Sequence, residues 1–230
     1  MLASVAACGG SSNSSATFSG KSDAQLERAI VAATDGDVVF AELVASADAS
    51  APPGGDTCPT IATTGNEVDV TGGCTTSDGT KITGSAKLVD VPPLLSGSGA
   101  APTTFSMDFD QLASTGSDGV LSFDGTVDGN AGVLTADLDD TLLGIGAHVD
   151  MSLSCGSASG QCTVGDGASI DVDGIGAATV TGSWAGDQST MAVTVTGAET
   201  MTLSAANGCV VYAIDGGASG RFCNNSGSGT

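Results

Sequence analysis

The chain runs to 230 residues, room for one large domain or two small ones. It carries 26 acidic and 5 basic side chains, a formal net charge of −21, with 35 glycines and 3% aromatic residues. The five cations, Lys21, Arg28, Lys81, Lys87 and Arg221, are scattered. That excludes nucleic-acid binding, which needs clustered Lys and Arg, and excludes electrostatic docking on anionic lipid. No apolar run of about 18 residues occurs, so no transmembrane helix is expected in the printed chain. The apolar fraction is 40% and is arranged with a clear period, which argues against disorder throughout.

Taken in chain order, the first feature is Cys8, which stands fifty residues before the next cysteine. It ends Val5-Ala6-Ala7-Cys8, an aliphatic residue, two small residues and a cysteine. This stretch resembles the lipobox of bacterial lipoproteins. The resemblance covers those four residues and implies that Cys8 is acylated and becomes the first residue of the mature protein. Only seven residues precede it, none of them basic, and they read as the remnant of a signal peptide. Residues 8–20, rich in Gly and Ser, read as a flexible tether, whose twelve residues after Cys8 reach about 40 Å when extended.

Residues 21–50 form the expected helical segment. Ser22 and Gln25 fit a capping box, and Leu26, Ile30 and Ala33 share one helical face. Glu27 and Arg28 are expected to face away from it. Asp35-Gly36 stops the helix, and Val38–Val44 suits a second short helix or a strand. Pro52-Pro53-Gly54-Gly55 then punctuates the chain.

From residue 51 to 230 the period changes to two. Phe105, Met107 and Phe109 alternate with polar residues, as do Leu121 and Phe123, then Leu134, Ala136 and Leu138. The same holds for Ala147, Val149, Met151 and Leu153, for Ile170 and Val172, and for Met191, Val193 and Val195. Lys81–Asp90 is a further strand, closed by Pro92-Pro93. Strict alternation means one buried face and one wet face, the habit of antiparallel sheets. Asp-Gly occurs eight times and Asn207-Gly208 adds one more such dipeptide, and these favour the positive-φ positions of tight hairpin turns. The expected fold is mainly β: a large curved antiparallel sheet of roughly ten strands, a sandwich or half-barrel, behind a short N-terminal helical segment. The apolar side chains are small, so the core is expected to be thin or shared with the helix. A membrane barrel would need aromatic girdles that one Trp, one Tyr and six Phe do not furnish.

Six cysteines remain after Cys8, and they fall into three sequence-local pairs: Cys58 with Cys74, Cys155 with Cys162, and Cys209 with Cys223. Fifteen pairings are possible, of which local pairing is the simplest. Such bridges require an oxidising compartment. Zinc would want C-x-x-C spacing or nearby His, and neither occurs.

Signs of reaction chemistry are sparse. The one histidine, His148, lies on the polar side of its strand. Asp150 shares that side but sits nearly 7 Å along it, too far for a hydrogen bond, so His148 reads as an exposed strand residue. No G-x-S-x-G, G-x-G-x-x-G or P-loop pattern is present. Trp184 ends an alternating run and is expected in the core. No cofactor is expected, with calcium the one plausible ion. Its candidate ligands are Asp137 and Asp139 with Asp140, and Asp166, Asp171 and Asp173, in neither case with EF-hand spacing.

The expectation is therefore a non-catalytic, lipid-anchored lipoprotein of a Gram-negative envelope, held at the outer membrane and facing the periplasm or the outside. Its role would be structural or one of interaction, with the membrane reached only through the anchor. The alternative is a carrier of lipid or another apolar ligand in a cavity between sheet and helix, an architectural comparison only. A large dry cavity would favour the carrier, and a filled core the structural role.

Overall fold

The computed structural model describes residues 14–34, 58–90, 104–117, 119–142, 144–155, 161–185 and 189–223. One helix, α1 (Asp23–Thr34), precedes fifteen strands. These are β1 (Thr60–Thr64), β2 (Glu67–Thr71), β3 (Cys74–Thr75), β4 (Lys81–Val89), β5 (Thr104–Gly116), β6 (Gly119–Asn130), β7 (Val133–Leu142) and β8 (Ile145–Cys155). There follow β9 (Gln161–Val164), β10 (Ser169–Val172), β11 (Gly176–Ala185), β12 (Met191–Thr196), β13 (Thr200–Ala206), β14 (Cys209–Ile214) and β15 (Ser219–Cys223). The expected second element at residues 38–44, Cys8 and the seven residues before it lie outside the described residues.

All fifteen strands belong to one hydrogen-bonded sheet rather than to two stacked ladders. Its main path runs β1-β2-β4-β5-β6-β7-β8-β10-β11-β12-β13-β14-β15, with β3 on β4, and β9 beside β8 and β11. Every strand pairing is antiparallel, so the sheet is close to a continuous meander. The period-two pattern maps directly onto it. Along β7 exposure and burial alternate strictly from Thr135 to Asp140, and along β8 Ala147, Val149, Met151 and Leu153 all turn inward. Trp184 is buried, as its alternation implied.

The inward side chains form two clusters. One, on β2 and β4–β7, centres on Leu88, Met107, Phe109 and Phe123. The other, on β8–β14, includes Leu153, Ile170, Val172, Val193, Val195 and Met201, and it is completed by α1 and the chain before it. Leu26, Ala29, Ile30 and Ala33 of α1 pack there, and so do Ala16 and Phe18. The helix lies against β8, β10 and β12. Its capping box forms in full: Gln25 N–H donates to Ser22 Oγ at 3.3 Å, and Ser22 N–H donates to Gln25 Oε1 at 3.2 Å.

Three expectations need correction. First, residues 14–20 are not a loose tether: Ala16 and Phe18 are 0% and 1% exposed, because an apolar aromatic gains more by closing the core than by staying wet. Second, Arg28 does not face away. It is 3% exposed and reaches Asp140 of β7 and the Ile145 carbonyl of β8, so the sheet covers the helix on more than its one apolar stripe. Third, not every Asp-Gly is a turn. Asp124-Gly125 and Asp128-Gly129 lie inside β6. Gly129 pairs across the ladder with Phe105, and a Cβ there would stand 2.0 Å from that ring, so the aromatic lies over the bare backbone.

The three disulfides are those of local pairing: Cys58–Cys74, Cys155–Cys162 and Cys209–Cys223. Cys155 and Cys162 face each other across β8 and β9, and Cys209 and Cys223 across β14 and β15. Each of these two bridges therefore locks one hairpin. The Cys58 bridge ties the approach to β1 onto β3.

Candidate functional site

Outward side chains at matched register form rows across neighbouring strands. One row runs Asp124 on β6, Asp139 on β7, His148 on β8 and Asp171 on β10. The next row runs Thr126, Asp137, Asp150 and Ser169. Two pairs of carboxylates thus stand directly opposite each other, Asp124 with Asp139 and Asp137 with Asp150, an arrangement that repels. His148 sits among them. Its Nδ1 is 3.0 Å from Asp139 Oδ1 and its Nε2 is 3.9 Å from Asp137 Oδ1. The partner of His148 is therefore a cross-strand neighbour rather than Asp150.

Beside this row lies an open depression of about 250 Å³. Asp137, Asp150 and Asp166 line it together with the hydroxyls of Thr126, Thr135 and Ser152. It is rich in hydrogen-bond acceptors and negative charge, so it suits a hydrated cationic or polyhydroxyl group. A serine–histidine pair is not assembled: Ser152 is four residues along β8 from His148, about 13 Å at the rise of a strand.

The calcium candidates are spread by the same geometry. Asp137 and Asp139 share the outer face of β7, but Asp140 turns inward. Asp171 flanks His148 from the far side, Asp166 lies in the turn before β10, and Asp173 Oδ2 accepts a hydrogen bond from Gly146 N–H at 3.1 Å. Among the described residues no three His, Cys, Asp or Glu side chains converge as a metal site.

On the inner side a second polar constellation holds α1. Arg28 Nη2 donates to Asp140 Oδ1, and Arg28 Nε donates to the Ile145 carbonyl at 3.3 Å. Both side chains are buried, at 3% and 4% exposure. Burial pushes the Asp140 carboxyl up to about 6, against the pull of Arg28. Burial likewise lowers the Arg28 guanidinium, against the pull of Asp140. Neither this pair nor the His148–Asp139 contact is visible in local sequence. The second could be found by pairing the alternating runs Leu134–Leu138 and Ala147–Leu153 as neighbouring antiparallel strands, a register that brings Asp139 opposite His148.

No protein-family model, curated protein or solved structure matches the chain.

Proposed function

We propose that this is a non-catalytic envelope lipoprotein, acylated at Cys8, that holds out a rigid acidic sheet face for interaction. One observation supports the role above the others: the apolar side of β8–β14 is occupied by the protein itself. Phe18, Ile170, Val172, Val195 and Met201 are all at most 2% exposed beneath α1 and the residues before it. A carrier would need that face for its cargo, so the carrier reading has less to stand on. The opposite face is polar and ordered, with carboxylates and hydroxyls in register. Three disulfides that each join residues close in sequence suit an oxidising compartment.

The test is the intact mass of protein taken from the membrane fraction. The reading expects a diacylglyceryl chain beginning at Cys8 with the other six cysteines oxidised, and release of the protein from membranes by Cys8→Ser. Recovery from cytosol with unmodified Cys8 and free thiols overturns it.

A further inference from the structure

The segment from Ser14 to α1 is laced to one end of the sheet. Ala16 N–H donates to the Ala177 carbonyl at 2.7 Å, and Ala177 N–H donates to the Ser14 carbonyl at 3.0 Å. Ala198 N–H donates to the Ala16 carbonyl at 2.8 Å. The Glu199 carboxylate accepts from Phe18 N–H at 2.6 Å and from Ser19 N–H at 2.7 Å. Gly197 leaves room for this crossing, since a Cβ there would stand 2.6 Å from the Ala16 methyl. The segment therefore passes between the β10–β11 turn at 173–175 and the β12–β13 turn at 197–199, and Lys21 Nζ reaches the Gly174 carbonyl from its far end.

The stretch that separates Cys8 from this laced segment is correspondingly short. From Cys8 to Ser14 there are six residue steps, which span at most about 20 Å however they are arranged. Along β11 the eight steps from Gly176 to Trp184 carry the opposite end of the strand about 26 Å further away. Charge sets the direction of the swing. A net charge of −21 is repelled by anionic lipid over about 8–10 Å, which keeps the acidic face from lying flat while the leash holds the laced end within about 20 Å.

From this geometry we propose that the domain meets a lipid bilayer end-on. The turns at 173–175, 197–199 and 215–217 face the membrane at close range, and the strand ends around Trp184 point away. The proposal rests on acylation of Cys8 and adds an orientation that acylation alone does not fix.

Trp184 is the single tryptophan, so the chain carries its own fluorescent donor. Acylated protein purified from membranes is reconstituted into phosphatidylethanolamine–phosphatidylglycerol vesicles containing a small fraction of dansyl-phosphatidylethanolamine. The native chain should transfer weakly to the dansyl lipid. Trp184→Phe combined with Asp215→Trp moves the donor to an exposed turn at the anchored end and should raise transfer several-fold. Trp184→Phe with Ala198→Trp gives a second donor at that end should the first variant fold poorly. A twelve-residue Gly/Ser insertion after Asn13 should erase the difference. Equal or stronger transfer from Trp184 overturns the orientation while leaving acylation standing. Failure of the purified chain to float with vesicles overturns the acylation, and the orientation with it.

Discussion

Arg28 and Asp140 are the residues whose placement departs furthest from local expectation, and their energetics have a definite sign. Both charges leave water, and the penalty of that desolvation is not recovered in full by their attraction. Removing one partner strands the other. Arg28→Met should therefore cost about 3–5 kcal/mol at pH 8, read by urea unfolding, because a lone carboxylate remains buried. The loss should shrink as pH falls, because the stranded carboxyl, freed of the pull of Arg28, protonates more readily. Asp140→Asn should cost a similar amount and show no such relief, since it leaves the buried guanidinium charged with only an amide oxygen to accept from it. A loss for Arg28→Met that is the same at pH 8 and pH 5 would show that the pair does not act through its charges. At His148 the outcome differs because that ring is half-exposed, and water screens its contacts with Asp139 and Asp137.

At the scale of elements, the hairpin β14–β15 ends the sheet and has a ladder partner on one side only. Its inward residues are modest. Tyr212 is buried and stacks on Phe222 at 5.6 Å between ring centres, and Cys209–Cys223 closes the open end. Replacing both cysteines by serine should remove about 3 kcal/mol in the chain-entropy model, and the loss should appear first as local opening. Hydrogen exchange should quicken at residues 209–223 while β7 and β8 keep their protection. Uniform acceleration across the sheet would mean that the bridge stabilises the whole fold rather than its edge. This hairpin also shows where legibility in the sequence stopped. Strands such as β7, β8 and β12 alternate cleanly because one face is wet and one is dry, and they are readable by eye. The run Cys209-Val210-Val211-Tyr212 does not alternate, since Cys209, Val210 and Val211 are all half-buried, and only the spacing of the cysteines and the Asp215-Gly216 dipeptide pointed to a hairpin. The capping box at Ser22 is equally legible because it is local. The burial of Arg28, the seating of Phe18 and the Asp139–His148 contact depend on partners 112, 181 and 9 residues away, which no local pattern reports.

For the whole molecule the governing quantity is negative charge, and its pH dependence follows from groups whose shifts have opposite sign. Asp140 is raised from 3.8 to about 6, so the folded chain binds a proton more readily than the unfolded chain between those values. Its contribution is present below the unfolded value and is lost as pH rises through about 6. Asp78 and Glu199 are lowered, Asp78 by the Thr76 hydroxyl and Thr80 N–H, and Glu199 by the Ser19 and Phe18 N–H groups. Their contributions are present above the unfolded values of 3.8 and 4.5 and are lost as pH falls below them. Relief of self-repulsion among 26 carboxyl groups acts in the same sense as Asp140. Stability should therefore rise as the protein is taken from pH 8 to about pH 5 and fall again below about pH 4. The melting temperature across that range, measured at low and high salt, checks it. Added salt should raise the value at pH 8 and at pH 5 alike, because most carboxyls stay ionised down to pH 5, and should act least near pH 4, where they protonate. Monotonic loss of stability from pH 8 downward would show that the lowered carboxyls outweigh both the buried pair and the surface repulsion.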